Sequence, residues 1–306
     1  MTFVRSALFN LTFYLWTMLI SVVALPLLVS QRGTIWISGL WAVVSLLLLR
    51  LIVGLSYEVR GLNNLPKGSA IVALKHQSAW DTIALWVLLE NPAIVLKRGL
   101  ARIPVFGWYM RRGKAIIIDR EAGAKALRPM VAAARSAVAE GRPIAIFPEG
   151  TRTPVGARGS YQPGVAALYK QLGLPLVPVA LNSGLFWSRR SFLKRPGRIV
   201  VQFLPAIEPG LDRRHVMSEL ERRIEQATAM LVAESHKAQE ISEATYARGE
   251  ITEGVGTYRS RPPIATSHSR RLTSVDLSSS RPTRPQFSSP SAKNSSATNI
   301  KGRNQT

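Results

Sequence analysis

A histidine and an aspartate lie five positions apart in the segment HQSAWD at residues 76–81, directly after the apolar run 70–75. The run predicts a strand, which puts His76 at a strand end and Asp81 at the start of the next helix. A carboxylate there can keep one imidazole nitrogen protonated and leave the other free to accept a substrate proton. The pair is therefore a candidate general base. The alternative is a surface histidine next to an aspartate that caps a helix.

A second polar segment, FPEGTR at residues 147–152, follows the apolar run 143–146. A strand that ends in proline and glycine and then presents Glu149 and Arg152 is typical of a loop that places charged side chains. The alternative is a turn with a surface ion pair, which would contribute little to stability.

Basic residues mark the ends of two further predicted strands. The segment GKAIIIDR at 113–120 ends in Asp119 and Arg120, Arg111 and Arg112 precede it, and Lys97-Arg98 ends an earlier apolar run. Each of these side chains could simply be solvated. Sites in open α/β sheets lie at the carboxyl ends of strands, so these residues could also converge on a phosphate group.

The elements that must position these residues alternate along the chain. The β-rich runs predict strands at 57–61, 69–75, 93–97, 115–119, 143–147, 176–182 and 198–204, and helical periodicity predicts helices at 80–90, 124–140, 164–172 and 212–236. This alternation indicates one α/β domain over residues 56–236, with a mostly buried central sheet flanked by helices.

Two uncharged runs, 7–30 and 34–49, precede this domain, and the apolar character continues to residue 55. About 20 residues cross a bilayer as a helix, so the first run is long enough and the second is borderline. We expect residues 1–55 to form a hydrophobic helical hairpin that is retained as a membrane anchor. Pro26 and Arg32 leave open a hairpin that enters only one leaflet. A helix pair buried in a soluble core is the remaining alternative.

The composition limits the chemistry. With no cysteine the chain has no disulfide framework, thiolate zinc site or cysteine nucleophile, and four dispersed histidines predict no metal site. The formal net charge of +22 predicts an anionic partner: nucleic acid, an anionic membrane face or a phosphorylated substrate. Residues 237–306, rich in Ser, Thr, Arg and Pro, are predicted to be a disordered basic tail. Only +6 of the charge lies in that tail.

Taken together, the ordered segments resemble a known family. HQSAWD, then a strand ending Ile-Asp-Arg at 118–120, then FPEGTR, then a proline-containing strand around Pro178 is the pattern of the glycerolphosphate acyltransferase superfamily. The resemblance covers about residues 57–236 and is closest to the bacterial 1-acyl-sn-glycerol-3-phosphate acyltransferases. Gly99 stands where many members carry glutamate, and Ile117 where many carry phenylalanine.

The resemblance implies a role for each matching residue. His76 is expected to be the general base and Asp81 the carboxylate that orients it. The expected acceptor-binding residues are Lys97, Arg120, Glu149, Gly150, Thr151 and Arg152. Glu149 would fix the geometry of its loop or contact the glycerol. Neither a metal nor a cofactor is expected. Ser78 is a conceivable nucleophile, but its spacing supplies no triad.

The function implied is transfer of a fatty acyl group to the sn-2 hydroxyl of 1-acyl-glycerol 3-phosphate (lysophosphatidate). The donor is an acyl thioester, either of acyl-carrier protein or of coenzyme A. The expected partners are membrane lipids, this acceptor and the donor, with no nucleic acid. The expected location is the bacterial inner membrane, with the catalytic domain on the cytoplasmic side. One alternative is acylation of another lyso-lipid, such as a lyso-aminolipid. A second, from a different class, is a membrane-anchored protein that binds polyanions.

Overall fold

A seven-stranded sheet forms the centre of the protein, in a computed structural model that describes residues 1–247. Its strands are β1 (Leu55–Arg60), β2 (Ile71–Leu74), β3 (Ala93–Lys97), β4 (Ile116–Ile118), β5 (Ile144–Ile146), β6 (Leu176–Leu181) and β7 (Gly197–Phe203). All seven predicted strands are confirmed, with ends that differ by no more than two residues. The predicted α/β class, with a buried central sheet flanked by helices, is also confirmed.

The strand order β1-β7-β6-β2-β5-β3-β4 places β2 at the middle of the sheet. Strands β6, β2, β5, β3 and β4 run parallel, whereas β7 is antiparallel to β6 and β1 is parallel to β7. Because both faces of the central strands are covered, every residue of β2 and β6 is buried. The carboxyl ends of the five parallel strands therefore share one edge of the sheet.

Helices cover both faces of the sheet. They are α1 (Thr2–Val23), α2 (Gln31–Leu48), α3 (Ala79–Leu88), α4 (Arg98–Ala101), α5 (Phe106–Arg112), α6 (Leu127–Ala139), α7 (Gly164–Leu172) and α8 (Arg213–Ala247). Side chains alternate along a strand, so Val72 packs with the hairpin and α3 while Ile71 packs with α6, α7 and α8.

Helix α8 extends eleven residues beyond the predicted end at residue 236, to Ala247. The added segment, KAQEISEATYA, contains good helix formers and no glycine or proline, so nothing in it ends the helix. Residues 237–247, predicted as the first part of the tail, are therefore helical. The rest of the predicted tail, 248–306, lies outside the described residues.

The sequence analysis did not predict helices α4 and α5. They have four and seven residues, and each contains a glycine, so their local signal is weak. Tertiary packing holds them instead: Tyr109 and Met110 are buried against Ala24 and Ile37 of the hairpin region. Gly107 lies so close to Ala101 that a Cβ atom there would collide with the Ala101 carbonyl group.

The predicted hairpin forms, and its two helices, Thr2–Val23 and Gln31–Val53 with its last π turn, are long and apolar enough to cross a membrane. Most large apolar side chains of α1 are exposed. Helix α2 instead contributes Leu46 and Leu49 to the core beside α3. Sequence alone suggested either a free anchor or a buried pair, and the structure combines an exposed α1 with a partly buried α2.

The hairpin contacts the α/β domain along its length. Near its beginning, the Ser6 hydroxyl accepts a hydrogen bond from the Lys194 backbone N–H at 2.9 Å. Near its turn, the Tyr109 hydroxyl donates to the Ser21 carbonyl at 3.1 Å. At the turn itself, Gln31 Nε2 donates to Glu140 Oε2 at 3.1 Å. Both ends of the hairpin are thus attached to the domain, and α1 presents its exposed apolar side outward.

Lys194 strengthens the first of these attachments. Its side chain is buried and donates to the Asn10 side chain and to the Phe192 carbonyl. Its ammonium lies 4.8 Å from the ring centroid of Trp187 and 5.6 Å from that of Phe9, within the range of cation–π contacts. Burial lowers the pKa of Lys194 to about 8.

Candidate active site

The predicted histidine–aspartate pair forms at the carboxyl end of the central strand. His76 Nδ1 lies 3.0 Å from Oδ2 of Asp81, and the His76 side chain is 13% exposed whereas that of Asp81 is fully buried. In the neutral imidazole, an Nδ1–H that donates to the carboxylate leaves Nε2 as the acceptor nitrogen. The His76 side chain keeps some exposure at this edge of the sheet.

Asp81 also organises the start of α3. Its Oδ2 accepts hydrogen bonds from the backbone N–H groups of Gln77 at 2.7 Å and Ser78 at 2.8 Å. Ser78 is the N-cap, and its hydroxyl accepts from the Trp80 N–H. The Ser78 hydroxyl also accepts from the Asp81 N–H, which with the Ser78 N–H to Asp81 bond forms a capping box. The Ser78 hydroxyl is thus buried and used as a cap. The helix N-terminus favours the negative charge of Asp81.

Ser183 is a member of the site that the sequence analysis missed. Its hydroxyl donates to Asp81 Oδ1 at 2.5 Å, and both residues are buried. It belongs to a short 3-10 turn after β6, where Gly184 N–H also donates to the Gln77 side chain at 3.1 Å. Asp81 therefore has donors on both carboxylate oxygens, and the turn after β6 holds it in place.

The FPEGTR loop after β5 holds His76 itself. The Phe147 ring stacks on the imidazole, with centroids 3.9 Å apart and 18° between the planes. Glu149 Oε2 accepts from the His76 backbone N–H at 3.2 Å, and the Thr153 N–H donates to the His76 carbonyl at 2.8 Å. The ring and both backbone polar groups of His76 are thus fixed by one loop.

Glu149 is a buried residue of an internal ion cluster. Its Oε1 lies 2.8 Å from Lys75 Nζ, which is also 2.7 Å from Oε1 of Glu225 on α8. Tyr161 donates its hydroxyl to the same Glu225 oxygen at 3.0 Å, and burial raises the pKa of this phenol. Of the two roles expected for Glu149, this environment favours fixing the loop. Lys75 and Glu225 were not predicted.

Arg120 and Gly150, predicted from separate segments, meet in the structure. The Arg120 guanidinium donates to the Gly150 carbonyl. Gly150 has φ = +67°, a left-handed conformation that favours glycine, and a Cβ atom there would displace this guanidinium. Nearby, the Arg98 guanidinium is 2.6 Å from Asp119 and lowers the pKa of that carboxyl group.

The remaining predicted binding residues lie at the same edge of the sheet. Lys97 is exposed at the end of β3, Thr151 is exposed, and Arg152 is half-buried. Within residues 1–247, neither Lys97 nor Arg152 forms a salt bridge, so both charges are available to an anion. The edge therefore combines a buried, oriented base with nearby cationic side chains. Such a site can deprotonate a hydroxyl of a phosphorylated substrate.

Comparisons with known proteins agree with this chemistry. A family model described as Acyltransferase matches residues 56–182. The 1-acyl-sn-glycerol-3-phosphate acyltransferase of Pseudomonas aeruginosa is 37% identical over 194 residues, which are 63% of this chain and 76% of that protein. The mouse 1-acyl-sn-glycerol-3-phosphate acyltransferase alpha is 26% identical over 206 residues, 65% of this chain and 71% of that protein.

A solved structure shares the fold. The 1-acyl-sn-glycerophosphate acyltransferase of Thermotoga maritima superposes with a TM-score of 0.61 at 21% identity, over 75% of this chain and 98% of that chain. The chain therefore belongs to the 1-acyl-sn-glycerol-3-phosphate acyltransferase family and is an acyltransferase. The family predicted from the ordered segments is confirmed, and a protein that only binds polyanions is not the class these comparisons support.

We expect replacement of Ser183 by alanine to lower kcat about tenfold or more, since a buried carboxylate loses a charge-assisted donor. The KM for the acceptor should change little, because Ser183 bonds to Asp81. Ser183→Thr retains a hydroxyl and should recover much of the activity. Steady-state kinetics of both variants measure this. If kcat of Ser183→Ala equals that of the wild type, or if only KM changes, Ser183 does not position Asp81.

Proposed function

We propose that the protein transfers a fatty acyl group from an acyl thioester to the free sn-2 hydroxyl of 1-acyl-glycerol 3-phosphate, which makes phosphatidate. The observation that carries this proposal is the His76–Asp81 pair, bonded at 3.0 Å at the sheet edge where Arg120 meets the FPEGTR loop. The names of the Pseudomonas and mouse relatives supply the acceptor.

The reaction needs one proton acceptor and no covalent intermediate. His76 Nε2 takes the proton of the sn-2 hydroxyl as its oxygen attacks the thioester carbonyl carbon. The tetrahedral intermediate then collapses, the carbon–sulfur bond breaks, and the thiolate takes the proton from His76. Asp81 holds the imidazole in the required tautomer throughout. The buried Ser78 hydroxyl, which caps α3, is poorly placed to be acylated.

The cationic side chains at this edge would bind the acceptor phosphate. Lys97 and Arg152 have no salt-bridge partner among the described residues, and Arg120 is held against Gly150. Arginine binds phosphate oxygens through a fork of N–H donors, and lysine acts as a point charge. Gly150 and Thr151 form the turn that brings Arg152 to this group. The positive charge suits both an acidic acyl-carrier protein and the phosphates of acyl-CoA as donor.

We also propose that the hairpin enters one leaflet of the inner membrane from the cytoplasmic side without crossing it. Two contacts near the turn support this, Gln31 to Glu140 and Tyr109 to Ser21, because they attach the turn to the same domain as the beginning of α1. A crossing hairpin would carry its turn to the opposite side of the bilayer. The exposed apolar side of α1 would then lie in the lipid.

His76→Ala should lower the rate of phosphatidate formation from lysophosphatidate and acyl thioester by about 10²–10⁴-fold, the usual contribution of a positioned general base. His215→Ala is the matched control. His215 also pairs with an aspartate, Asp212, but this pair is exposed at the start of α8. Helix α8 follows the antiparallel strand β7, so the pair lies at the edge of the sheet opposite to His76. Full activity in His76→Ala, or equal loss in both variants, would contradict the assignment.

The topology can be tested with single cysteines, since the chain has none of its own. In inside-out inner-membrane vesicles, a membrane-impermeant maleimide should label Arg32→Cys, at the hairpin turn, as well as it labels Ala133→Cys on the exposed side of α6. A turn on the far side would instead be labelled only after the vesicles are permeabilised. That result would establish a crossing hairpin and overturn the one-leaflet proposal.

A further inference from the structure

Helices α4 and α5 and the turn between them expose an unusual number of large apolar side chains. Leu100 is 46% exposed, Ile103 48%, Phe106 39% and Trp108 49%. Single exposed apolar residues are common on protein surfaces and need no explanation. Four of them within nine residues, two of them aromatic, form an apolar patch of the kind that marks an interaction site. We name Leu100, Ile103, Phe106 and Trp108 the α4–α5 patch.

The α4–α5 patch is embedded in positive charge. Residues 98–112, RGLARIPVFGWYMRR, contain four arginines and no acidic residue. Arg98 pairs with Asp119, whereas Arg111 and Arg112 are exposed at the end of α5 and form no salt bridge with a described residue. Apolar and aromatic side chains interleaved with arginine are the composition of a surface that contacts an anionic lipid leaflet.

The conformation of the segment keeps the patch outward. Val105 has φ = +63°, a strained value for a β-branched residue that persists only when the surrounding structure holds it. Close contact of Gly107 with Ala101 and burial of Tyr109 provide that support. The apolar exposure of Phe106 and Trp108 is therefore built into a packed segment.

The segment that carries the patch also packs against the hairpin. The buried side of the same segment packs on Ala24 and Ile37, and Tyr109 donates to the Ser21 carbonyl. An exposed apolar surface that adjoins the hairpin and carries positive charge fits the same partner as the hairpin. The position next to the hairpin favours a lipid leaflet over a second protein as the occupant.

We propose that the α4–α5 patch is a second membrane-contacting element, which inserts Leu100, Ile103, Phe106 and Trp108 into an anionic leaflet beside the hairpin. The segment begins directly after Lys97, at the sheet edge that carries His76. Its insertion would hold that edge at the lipid surface, where a lyso-lipid acceptor resides. The inference rests on the membrane association of the hairpin, but its test separates the two.

The test uses the full chain with one introduced cysteine carrying a polarity-sensitive fluorophore, at Ile103→Cys or Phe106→Cys. Leu15→Cys, exposed on α1, reports hairpin insertion, and Ala133→Cys on α6 is the water-exposed control. On vesicles containing phosphatidylglycerol, labels at 103, 106 and 15 should shift to the blue and be quenched by shallow nitroxide lipids. The label at 133 should not respond.

If labels at 103 and 106 behave like the label at 133 while that at 15 is quenched, the hairpin inserts without the patch and the proposal is wrong. If none responds, membrane contact by the hairpin fails as well. Transfer activity of each labelled variant, measured separately, shows whether the proposed reaction survives either outcome.

Charge is tested in the same assay. Arg111→Gln combined with Arg112→Gln should weaken insertion of the label at 103 into anionic vesicles about tenfold or more, the loss expected when two cationic groups leave an anionic surface. Insertion into vesicles of neutral lipid should change little. Equal effects on both kinds of vesicle would exclude recognition of anionic lipid by this segment.

Discussion

A buried ion cluster beneath His76 is the interaction on which the site depends. Lys75, Glu149 and Glu225 join the end of β2, the loop after β5 and helix α8, and the Lys75 and Glu149 side chains have almost no contact with solvent. Ions in the interior are tolerated only when paired, and removal of one partner typically costs about 3–5 kcal/mol. The pairing therefore fixes Glu149, whose other oxygen accepts from the His76 backbone. This arrangement therefore also positions the loop residue Gly150, whose carbonyl group accepts from Arg120.

Asp81 shows how one carboxylate can serve both local structure and chemistry. It accepts from the Ser78 N–H in the capping box of α3 and from the Gln77 N–H, and it also bonds the imidazole. Sequence suggested a helix cap and a catalytic partner as alternatives, but the two roles use the same oxygen. The helix N-terminus and the Ser183 hydroxyl surround the charge with donors. In the proposed reaction, a carboxylate held in this way would orient His76 without reorganising.

The strands could be predicted because each is a short apolar run ended by a turn or a charged residue, as in β2 and β6. The base and its loop could be predicted because they are contiguous segments in a fixed order. Ser183 could not, since it lies 102 positions from Asp81 and an isolated serine has no spacing that reveals its partner. Lys75 could have been noticed only as a lysine at the end of a fully apolar run. The packing of the hairpin turn against Glu140 depends on tertiary contacts that no local pattern records.

We propose that the oriented His76 deprotonates the acceptor hydroxyl directly, at a site held at the membrane surface. Single-turnover transfer from a radiolabelled acyl thioester to lysophosphatidate, with enzyme in excess, tests it most directly in wild type and Asp81→Asn. We predict that label passes to phosphatidate without appearing on the protein, and that Asp81→Asn slows this step by about 10²–10⁴-fold. Label on the protein before phosphatidate forms, or an unchanged rate in Asp81→Asn, would exclude direct transfer with His76 as the base.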